Sequence, residues 1–295
     1  NQRTNPLFAK AREIVKSGEL GELKRTVWII TNWFRTQSYY DSGDWRATWS
    51  GEGGGVLLNQ CPHQLDLWQW ICGMPVKVEA HLHFGKWHDI EVEDDVTTYV
   101  EYPNGATGVF ITTTGDAHGT NRFEIQMDKA KFVVENNKLV MTKYEMTEQE
   151  FSKIYKQPFG TVNSTTCKVE TGGENPQHIG VLNAWANAIL HGGKLVAEGK
   201  EGINGLTLSN AMHLSAFLGK EVEISAFTYA PLKAEAKPTM AFRYKFYVSA
   251  DGKNWKEVPA NGEFSNIMHN PVPYFVRFGK TYPARYFKLE SLSEI

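Results

Sequence analysis

The 295 residues are most informative first for what they lack. A basic excess is missing: 31 Lys and Arg stand against 33 Asp and Glu, a formal charge of −2. Surfaces that track nucleic-acid phosphates draw much of their affinity from cations that release condensed counterions, so no nucleic acid is expected as the main partner. Long hydrophobic runs are missing too. No stretch approaches the roughly 18 apolar residues that cross a bilayer, and Asn1-Gln2-Arg3-Thr4 opens no secretory segment, so no membrane partner is expected. The first residue is not Met and a helix follows almost at once, so an N-terminal region is expected to be lost; localisation stays open between cytoplasm and periplasm. Cysteine is scarce. Cys61, Cys72 and Cys167 are odd in number and lack paired spacing, which removes a disulfide framework and a zinc site and leaves three free thiols, expected to be buried. A catalytic thiol at Cys61, close to His63, is the rival to simple burial.

A dinucleotide loop is also missing. Gly51-Glu52-Gly53-Gly54-Gly55 is glycine-rich, but the final glycine of the fingerprint is replaced by Val56, and no segment has βαβ character around a phosphate loop. What remains, with 41% hydrophobic, 13% aromatic and 22% charged residues, is the composition of an ordinary globular protein.

The pattern along the chain predicts an α+β domain. Pro6 to Gly21 places Leu7, Ala11, Ile14 and Val15 at helical spacing with a Gly18 stop, and Lys24 to Arg35 reads as one long β-branched and aromatic strand. A loop rich in Gly, Trp and Tyr follows. The run from Val56, VLLNQCPHQLDLWQWICG, then predicts a largely buried helix stopped by Gly73 and Pro75. Between Val76 and Val140 the period falls to two, with turns at Pro103-Asn104-Gly105 and Asn136-Asn137, which predicts a large, mostly antiparallel, open-faced sheet. Two further helices, over 175–193 and 204–219, each end at glycine and complete a set packed on one face. Beyond Ile224 the chain turns all-β, with an Asp251-Gly252 hairpin signal. The expected domains are therefore 1–223 and 224–295.

The chemistry concentrates in GGGVLLNQCPHQLD. On a helix, Asn59 and His63 are spaced i, i+4 and Asp66 lies i+3 from His63, so the three side chains share a face. His63 then serves as general acid or base on a substrate hydroxyl, Asn59 positions that hydroxyl and Asp66 fixes the imidazole tautomer. The alternative is a helix-start histidine satisfying local backbone. A metal held by His63 and Asp66 lacks a third ligand, so none is expected. Tyr40, Trp45 and Arg46 precede the glycines, where rings stack on a pyranose and Arg46 donates to hydroxyls or a carboxylate, although packing explains the aromatics equally. Asn32, Arg35, Arg122 and His178 are weaker substrate-side candidates.

NQRTNPLFAKAREIVKSGELGEL, YYDSGDWRATWSGEGGGVLLNQCPHQLDLWQWICGMP, TNRFEI, FVVENNKL and GINGLTLSNAMHLSAFLGKEVEI occur in order. Together they resemble the C-terminal, substrate-binding half of the Gfo/Idh/MocA family of NAD(P)-dependent sugar and cyclitol oxidoreductases, over residues 1 to about 223. The resemblance implies a Rossmann domain followed by an α+β domain, with the active site between them and the open sheet used for dimer or tetramer assembly. It implies hydride transfer at a sugar carbinol with His63 as acid/base. The family's Asp-x-x-x-His pair falls on Asn59 and His63, so this chain departs from it by lacking the carboxylate. The Glu-Lys-Pro motif, whose Lys is the usual partner and cofactor contact, is absent, as is the nucleotide-binding half. NAD or NADP is thus implied for the complete parent, with no tight binding expected of this chain alone. Gln2 and Arg3 match the segment that follows the cofactor domain and are the cofactor-side candidates, an exposed cut end being the alternative. An NAD-dependent glycosidase of the same superfamily, and a non-catalytic carbohydrate-binding or assembly module, are the rival functions.

FRYKFYVSADGKNWKEV, GEFSNIMHNPVPYFVRFG and ARYFKLESL resemble the latter half of a discoidin-type β-sandwich of the kind appended to fucosidases. Only part of such a module is represented, so a packing role is expected ahead of glycan binding. Both resemblances are incomplete at their starts and meet near Glu223 to Ser225, as a truncated, fused or artificially joined chain would show.

Overall fold

The computed structural model describes residues 1–223, 228–229, 241–249, 253–258, 274–275 and 286–294. The chain divides into two compact units, Asn1–Ile224 and Ser225–Ile295.

In the first unit a 3-10 turn, Gln2–Thr4, leads into α1, Pro6–Lys16. The Asn5 side chain accepts the Leu7 N–H, Pro6 occupies the first helical position where no N–H is needed, and Gly18 turns the chain at φ +74°. β1, Leu23–Ile30, is shorter than the Lys24 to Arg35 run. Past Ile30 the backbone is held by the loop before the fifth strand, Thr31 N–H donating to the Thr120 carbonyl at 2.8 Å. A short helix α2, Gln37–Tyr40, opens the loop, and α3 spans Pro62–Cys72. α3 begins six residues later than the apolar run suggests. Residues 55–60 close their own turns, Asn59 N–H to Gly55 carbonyl at 2.9 Å and Gln60 N–H to Val56 carbonyl at 3.2 Å, before Pro62, which suits only a first helical turn, starts the helix.

The sheet strands are β2 Lys77–Phe84, β3 Glu93–Glu101, β4 Thr107–Thr113, β5 Asn121–Met127, β6 Ala130–Glu135, β7 Lys138–Tyr144, β8 Ser164–Lys168 and β9 Val222–Glu223. With β1 they form a nine-stranded sheet in the order β8-β7-β6-β5-β1-β4-β3-β2-β9. The sheet is mixed, where the tight-turn pattern predicted a mostly antiparallel one: β1 lies parallel to β4, Trp28 opposite Phe110, and antiparallel to β5. The reason is the long connection through α2 and α3, a crossover that returns the chain in parallel and inserts β1 between β4 and β5. Asn136 and Asn137, at φ +50° and +56°, make the tight β6–β7 turn that their sequence predicts.

Alternation sorts the two faces. Thr26, Trp28 and Ile30 of β1, Phe110 of β4, Phe123 and Ile125 of β5 and Phe132 of β6 are buried, in one core with residues of α1, α3 and the late helix α6, Gly202–Leu218. Trp28 stacks on Phe123 at 4.2 Å between centroids and Trp68 on Phe110 at 5.4 Å, while the Trp68 indole donates to Thr26 Oγ1 at 3.0 Å. The opposite face carries half-buried Val27, Ile29, Val109, Ile111 and Val133. β9 covers β2 only at Lys77 and Val78, and beyond it Ser215 of α6 accepts the Ala80 N–H at 3.0 Å, satisfying an edge group. A capped short helix α4, Glu148–Ile154, was not anticipated, and α5 spans Gln177–His191. Gly192 and Gly219, both left-handed, end α5 and α6 as predicted. Cys61 and Cys72 are buried, but Cys167, expected to be buried, is exposed because β8 is an edge strand with no covered face.

In the second unit, β10 Thr228–Tyr229 pairs with β13 Tyr274–Phe275, and β12 Lys256–Val258, β11 Ala241–Ser249 and β14 Tyr286–Glu294 form an antiparallel sheet in the order β12-β11-β14. Tyr244, Phe246, Val248 and Val258 are buried. The Asp251-Gly252 turn, the Glu223 to Ser225 junction beyond Glu223, and most of GEFSNIMHNPVPYFVRFG lie outside the described residues.

Candidate active site

The glycine run is fixed from below by β3. Glu93, fully buried, accepts the Gly55 N–H at 2.9 Å and the Leu57 N–H at 3.0 Å through its carboxylate, while its carbonyl accepts the Val56 N–H at 2.9 Å. A Cβ at Gly55 would overlap that carbonyl, so the close approach needs glycine. His213 of α6 completes the clamp, its Nε2 at 3.0 Å from Glu93 Oε2 and its Nδ1 donating to the Ser209 carbonyl at 2.9 Å. Burial alone would lower the His213 pKa; the hydrogen bond and charge of Glu93, with the Ser209 carbonyl, outweigh it and raise the pKa.

Above this floor the loop converges on Asn59. Its amide donates to Glu52 Oε1, and its Oδ1 accepts from Tyr39 Oη at 3.3 Å and from Gln60 Nε2 at 2.9 Å. Glu52 Oε2 accepts the N–H of Ala47 at 2.7 Å, which holds that residue in the left-handed region at φ +51°. Arg46 donates to Tyr39 Oη at 3.1 Å and to Ser42 Oγ at 3.0 Å. Its guanidinium carbon lies 4.6 Å from the Tyr39 ring centroid and 4.4 Å from that of Trp45, and Arg35 approaches the same Tyr39 ring at 5.1 Å. A cavity of about 290 Å³ adjoins, lined by Tyr40, Asp41, Arg46, Ala47, Thr48, Asp89, Ile90 and Glu91. Tyr40 contributes wall rather than hydroxyl: it is buried, its Oη donates to Thr114 Oγ1 at 2.9 Å, and burial raises its pKa. Trp45 is half-exposed at 52%.

The other candidates are dispersed. His63 is the second residue of α3 and exposed, so it does not share a helical face with Asn59, which sits in the preceding turn. Partial desolvation and His178 lower the His63 pKa, against Asp66, and this places His178 in its neighbourhood. Asp66 does not orient that imidazole. Its oxygens are taken by Arg3, Nε at 2.8 Å and Nη2 at 2.6 Å, and by Gln69 Nε2 at 3.1 Å. Arg3 is therefore a buried, ion-paired cation, also bonded to Glu201 at 2.5 Å, and Gln2 is half-buried on the 3-10 turn. Asn32 is exposed beyond β1. Arg122 lies on the open sheet face, away from the helices, paired with Glu124 at 3.0 Å and Glu135 at 2.9 Å. The Cys61 thiol is fully enclosed, 3.1 Å from Thr112 Oγ1, and burial pushes its pKa up to about 12, which suits no nucleophile. Among the described residues no three His, Cys, Asp or Glu side chains come together to hold a metal ion, and no helix is long and apolar enough to cross a membrane.

Tyr39, Glu52, Glu93 and His213 were not singled out from the sequence. Only Glu52 carried a signal there, as the lone acid in a glycine run. The glycine loop does not fit a dinucleotide pyrophosphate: it follows a turn rather than a strand, and the Glu93 carboxylate already takes two of the amide donors that a phosphate would need.

Residues 8–133, from α1 into β6, match the GFO/IDH/MocA C-terminal domain. Residues 204–294, from within α6 across the second unit, match the F5/8 type C domain. Among solved structures, the WlbA dehydrogenase from Chromobacterium violaceum, in complex with NADH and UDP-GlcNAcA, aligns at TM-score 0.59 and 23% identity over 74% of this chain and 59% of its own. Levoglucosan dehydrogenase, in complex with NADH and levoglucosan, aligns at TM-score 0.59 and 19% identity over 76% and 64%. An oxidoreductase from Agrobacterium radiobacter, in complex with NAD+, L-tartaric acid and magnesium, aligns at TM-score 0.58 and 17% identity over 75% and 63%. These are likenesses of fold, and the chain spans about three fifths of the length of these structures. No curated protein matches the sequence.

Proposed function

We propose that residues 1–223 are the substrate-side half of an NAD(P)-dependent oxidoreductase acting on a sugar or sugar derivative, with the nicotinamide cofactor carried by a separate nucleotide-binding domain. The observation that carries this reading is the Glu52–Asn59–Tyr39–Arg46 network beside a cavity of about 290 Å³, the size of a small-ligand site. It offers amide, hydroxyl, guanidinium and carboxylate groups along with aromatic faces, the mixture that orients a polyol. The fold neighbours hold NADH or NAD+ together with UDP-GlcNAcA, levoglucosan or L-tartaric acid, which is consistent with it. In this reading His63 exchanges the proton of the reacting hydroxyl while Asn59 positions the sugar. His178 is assigned to the substrate side with it, and Trp45 offers a stacking face. The apolar stripe on the open sheet face is assigned to self-association.

Calorimetric titration of the intact chain tests it. Neither NAD(H) nor NADP(H) is expected to bind saturably, whereas a monosaccharide panel is expected to give binding that Asn59→Ala abolishes. Saturable nucleotide binding by the chain alone would overturn the division of labour. A second reading, a carbohydrate-binding module without chemistry, is favoured by the amide in place of a carboxylate at Asn59. It would be supported by persistent sugar binding with no hydride transfer after a nucleotide-binding domain is supplied. Product analysis in the same reaction separates net oxidation from redox-neutral glycoside cleavage.

A further inference from the structure

β3 opens on three consecutive acids, and each meets a histidine. Glu93 Oε2 lies 3.0 Å from His213 Nε2, Asp94 Oδ2 3.0 Å from His88 Nδ1, and Asp95 Oδ1 2.9 Å from His83 Nδ1. The three pairs are not equivalent. Asp95 has Lys86 as a second cation at 3.1 Å and the His83 side chain is 54% exposed, so lysine and water can replace that ring. The Glu93 and Asp94 side chains are wholly buried, and among the described residues no other cation pairs with either.

Counting donors gives the charge state of the two buried pairs. The second nitrogen of His213 faces the Ser209 carbonyl at 2.9 Å, and that of His88 faces the Arg35 carbonyl at 3.0 Å. A carbonyl only accepts, so that nitrogen carries hydrogen. A neutral imidazole has one N–H, and its other nitrogen would then point a lone pair at the carboxylate. Both contacts of each ring are hydrogen bonds only with one proton more than a neutral imidazole and a carboxylate hold between them. The imidazole is the stronger base, so the ring carries it. The surroundings supply no substitute. The rings of Trp49 and Phe217 border His213 at 5.8 and 6.2 Å between centroids, and Glu93 is the charge that acts on it. His88 faces Asp94, the Arg35 carbonyl and, at 4.8 Å between centroids, the ring of Tyr40, whose hydroxyl is bonded to Thr114 and is reached by the Asp94 and Arg35 charges.

Each buried carboxylate also gathers a loop at the candidate site. Glu93 takes the Gly55 and Leu57 N–H groups. Asp94 accepts the N–H groups of Lys86, Trp87 and His88 at 3.0, 2.8 and 3.1 Å, folding the segment that continues into Asp89, Ile90 and Glu91 of the cavity wall. Removing the shared proton leaves a buried carboxylate without a countercharge, which hydration relieves once the loop comes away.

We propose that the Glu93–His213 and Asp94–His88 pairs form a proton-operated latch, in which one proton on each ring holds the glycine loop and the 86–91 segment shut and its loss to water releases them. The latch belongs to the scaffold of the site and holds whatever ligand the cavity takes. His213 sets the direction: burial lowers its pKa, but the bond and charge of Glu93, with the Ser209 carbonyl, outweigh burial and raise it. The glycine loop is therefore closed below the ordinary histidine pKa and is released as pH rises through the raised value.

The test is hydrogen exchange of the intact chain by mass spectrometry from pH 5 to 9, corrected for the intrinsic rate, with NMR of protein labelled with nitrogen-15 histidine. At pH 5 the ring nitrogens of His213 and His88 are expected at imidazolium shifts, assigned through His213→Gln and His88→Gln. Peptides holding Gly55 and Leu57, and Lys86 to His88, are expected to lose protection above the ordinary histidine range. The loss should reach up to about tenfold per pH unit and level off beyond the folded-state pKa. Phe123 to Met127 of β5 should keep its protection. His213→Gln is expected to flatten the response of the first peptide and His88→Gln that of the second, and a circular-dichroism melt shows whether each variant folds; the exchange profile of the parent decides even where one does not. Neutral rings at pH 5, protection of both loops that is constant across the range, or a loss that β5 shares equally would each overturn the latch. A response in one loop alone would overturn its joint action.

Discussion

Helices α3 and α5 are similarly rich in Leu, Ile and Trp, yet they have opposite fates. α3 buries Leu65, Leu67, Trp68, Gln69, Ile71 and Cys72. α5 buries nothing, leaving Ile179, Leu182, Trp185, Ile189 and Leu190 at 57–71% exposure. The difference lies in the chain around them. α3 is the crossover between β1 and β2 and is drawn across the sheet at both ends. α5 leans on the 3-10 turn at Gln2–Thr4, where Thr4 Oγ1 donates to the Gln177 carbonyl at 3.1 Å. An apolar helix in a sequence states that a cover is wanted, not that these residues supply it.

The most direct way to break the comparison is to delete one indole from each helix. Trp68→Ala is expected to cost about 3–5 kcal/mol, because it removes the stack on Phe110 and the bond to Thr26 from a packed core. Trp185→Ala should stay within about 0.5 kcal/mol. Urea unfolding of both variants decides it, and equal losses would mean that α5 is covered in solution.

α6 sharpens the contrast because it belongs to both worlds, with Leu208 and Met212 buried and Leu206, Leu214 and Phe217 exposed. Its inner face is pinned by His213 on Glu93, and Glu93→Ala is expected to cost about 3–5 kcal/mol by leaving His213 and two backbone donors unpaired. The pH dependence has a definite sign. The His213 pKa is raised above its ordinary 6.5, so its contribution is complete below that value and is lost as pH rises through the folded-state pKa. Stability measured from pH 5 to 9 should carry this decline in the parent protein and lose it in His213→Gln.

Hydrogen exchange gives a finer comparison. The amides of α3 are expected to exchange only on global unfolding, whereas those of α5 open at a small fraction of that free energy. Comparable protection would again indicate a partner over α5. The smallest effect belongs to the open sheet face: Arg122→Ala should change stability by no more than about 1 kcal/mol, since its two ion pairs are solvent-screened. Val109→Lys on that face should shift the sedimentation coefficient toward monomer if the stripe mediates self-association.

The helices, the strand run and the glycine stops were legible because their signals are local. Gly192 and Gly219 end α5 and α6 where a left-handed residue is needed, and the period-two pattern marks strands whatever their partners. The mixed sheet was not legible, since the parallel β1–β4 pair depends on where a long crossover returns. Within the site, the importance of the region from Tyr39 to Asn59 was readable as aromatics, arginine and glycines close in sequence. The partners were not: Asp66 took Arg3, 63 residues away, and left His63 without the carboxylate assigned to it.

The sequence by itself determined the element types, the turns that end them, the two-part division of character near Ile224, and a formal charge of −2. Each of these follows from propensity, periodicity or net charge, which act over a few residues or over the whole composition. Only the tertiary structure decided that Glu93 and His213 clamp the glycine loop, that Glu52 is the carboxylate facing Asn59, and that Arg35 and Arg46 both approach the ring of Tyr39. Those pairings join groups whose separation in sequence bears no fixed relation to their distance in space, and desolvation and hydrogen-bond geometry select them only after the sheet has brought them together.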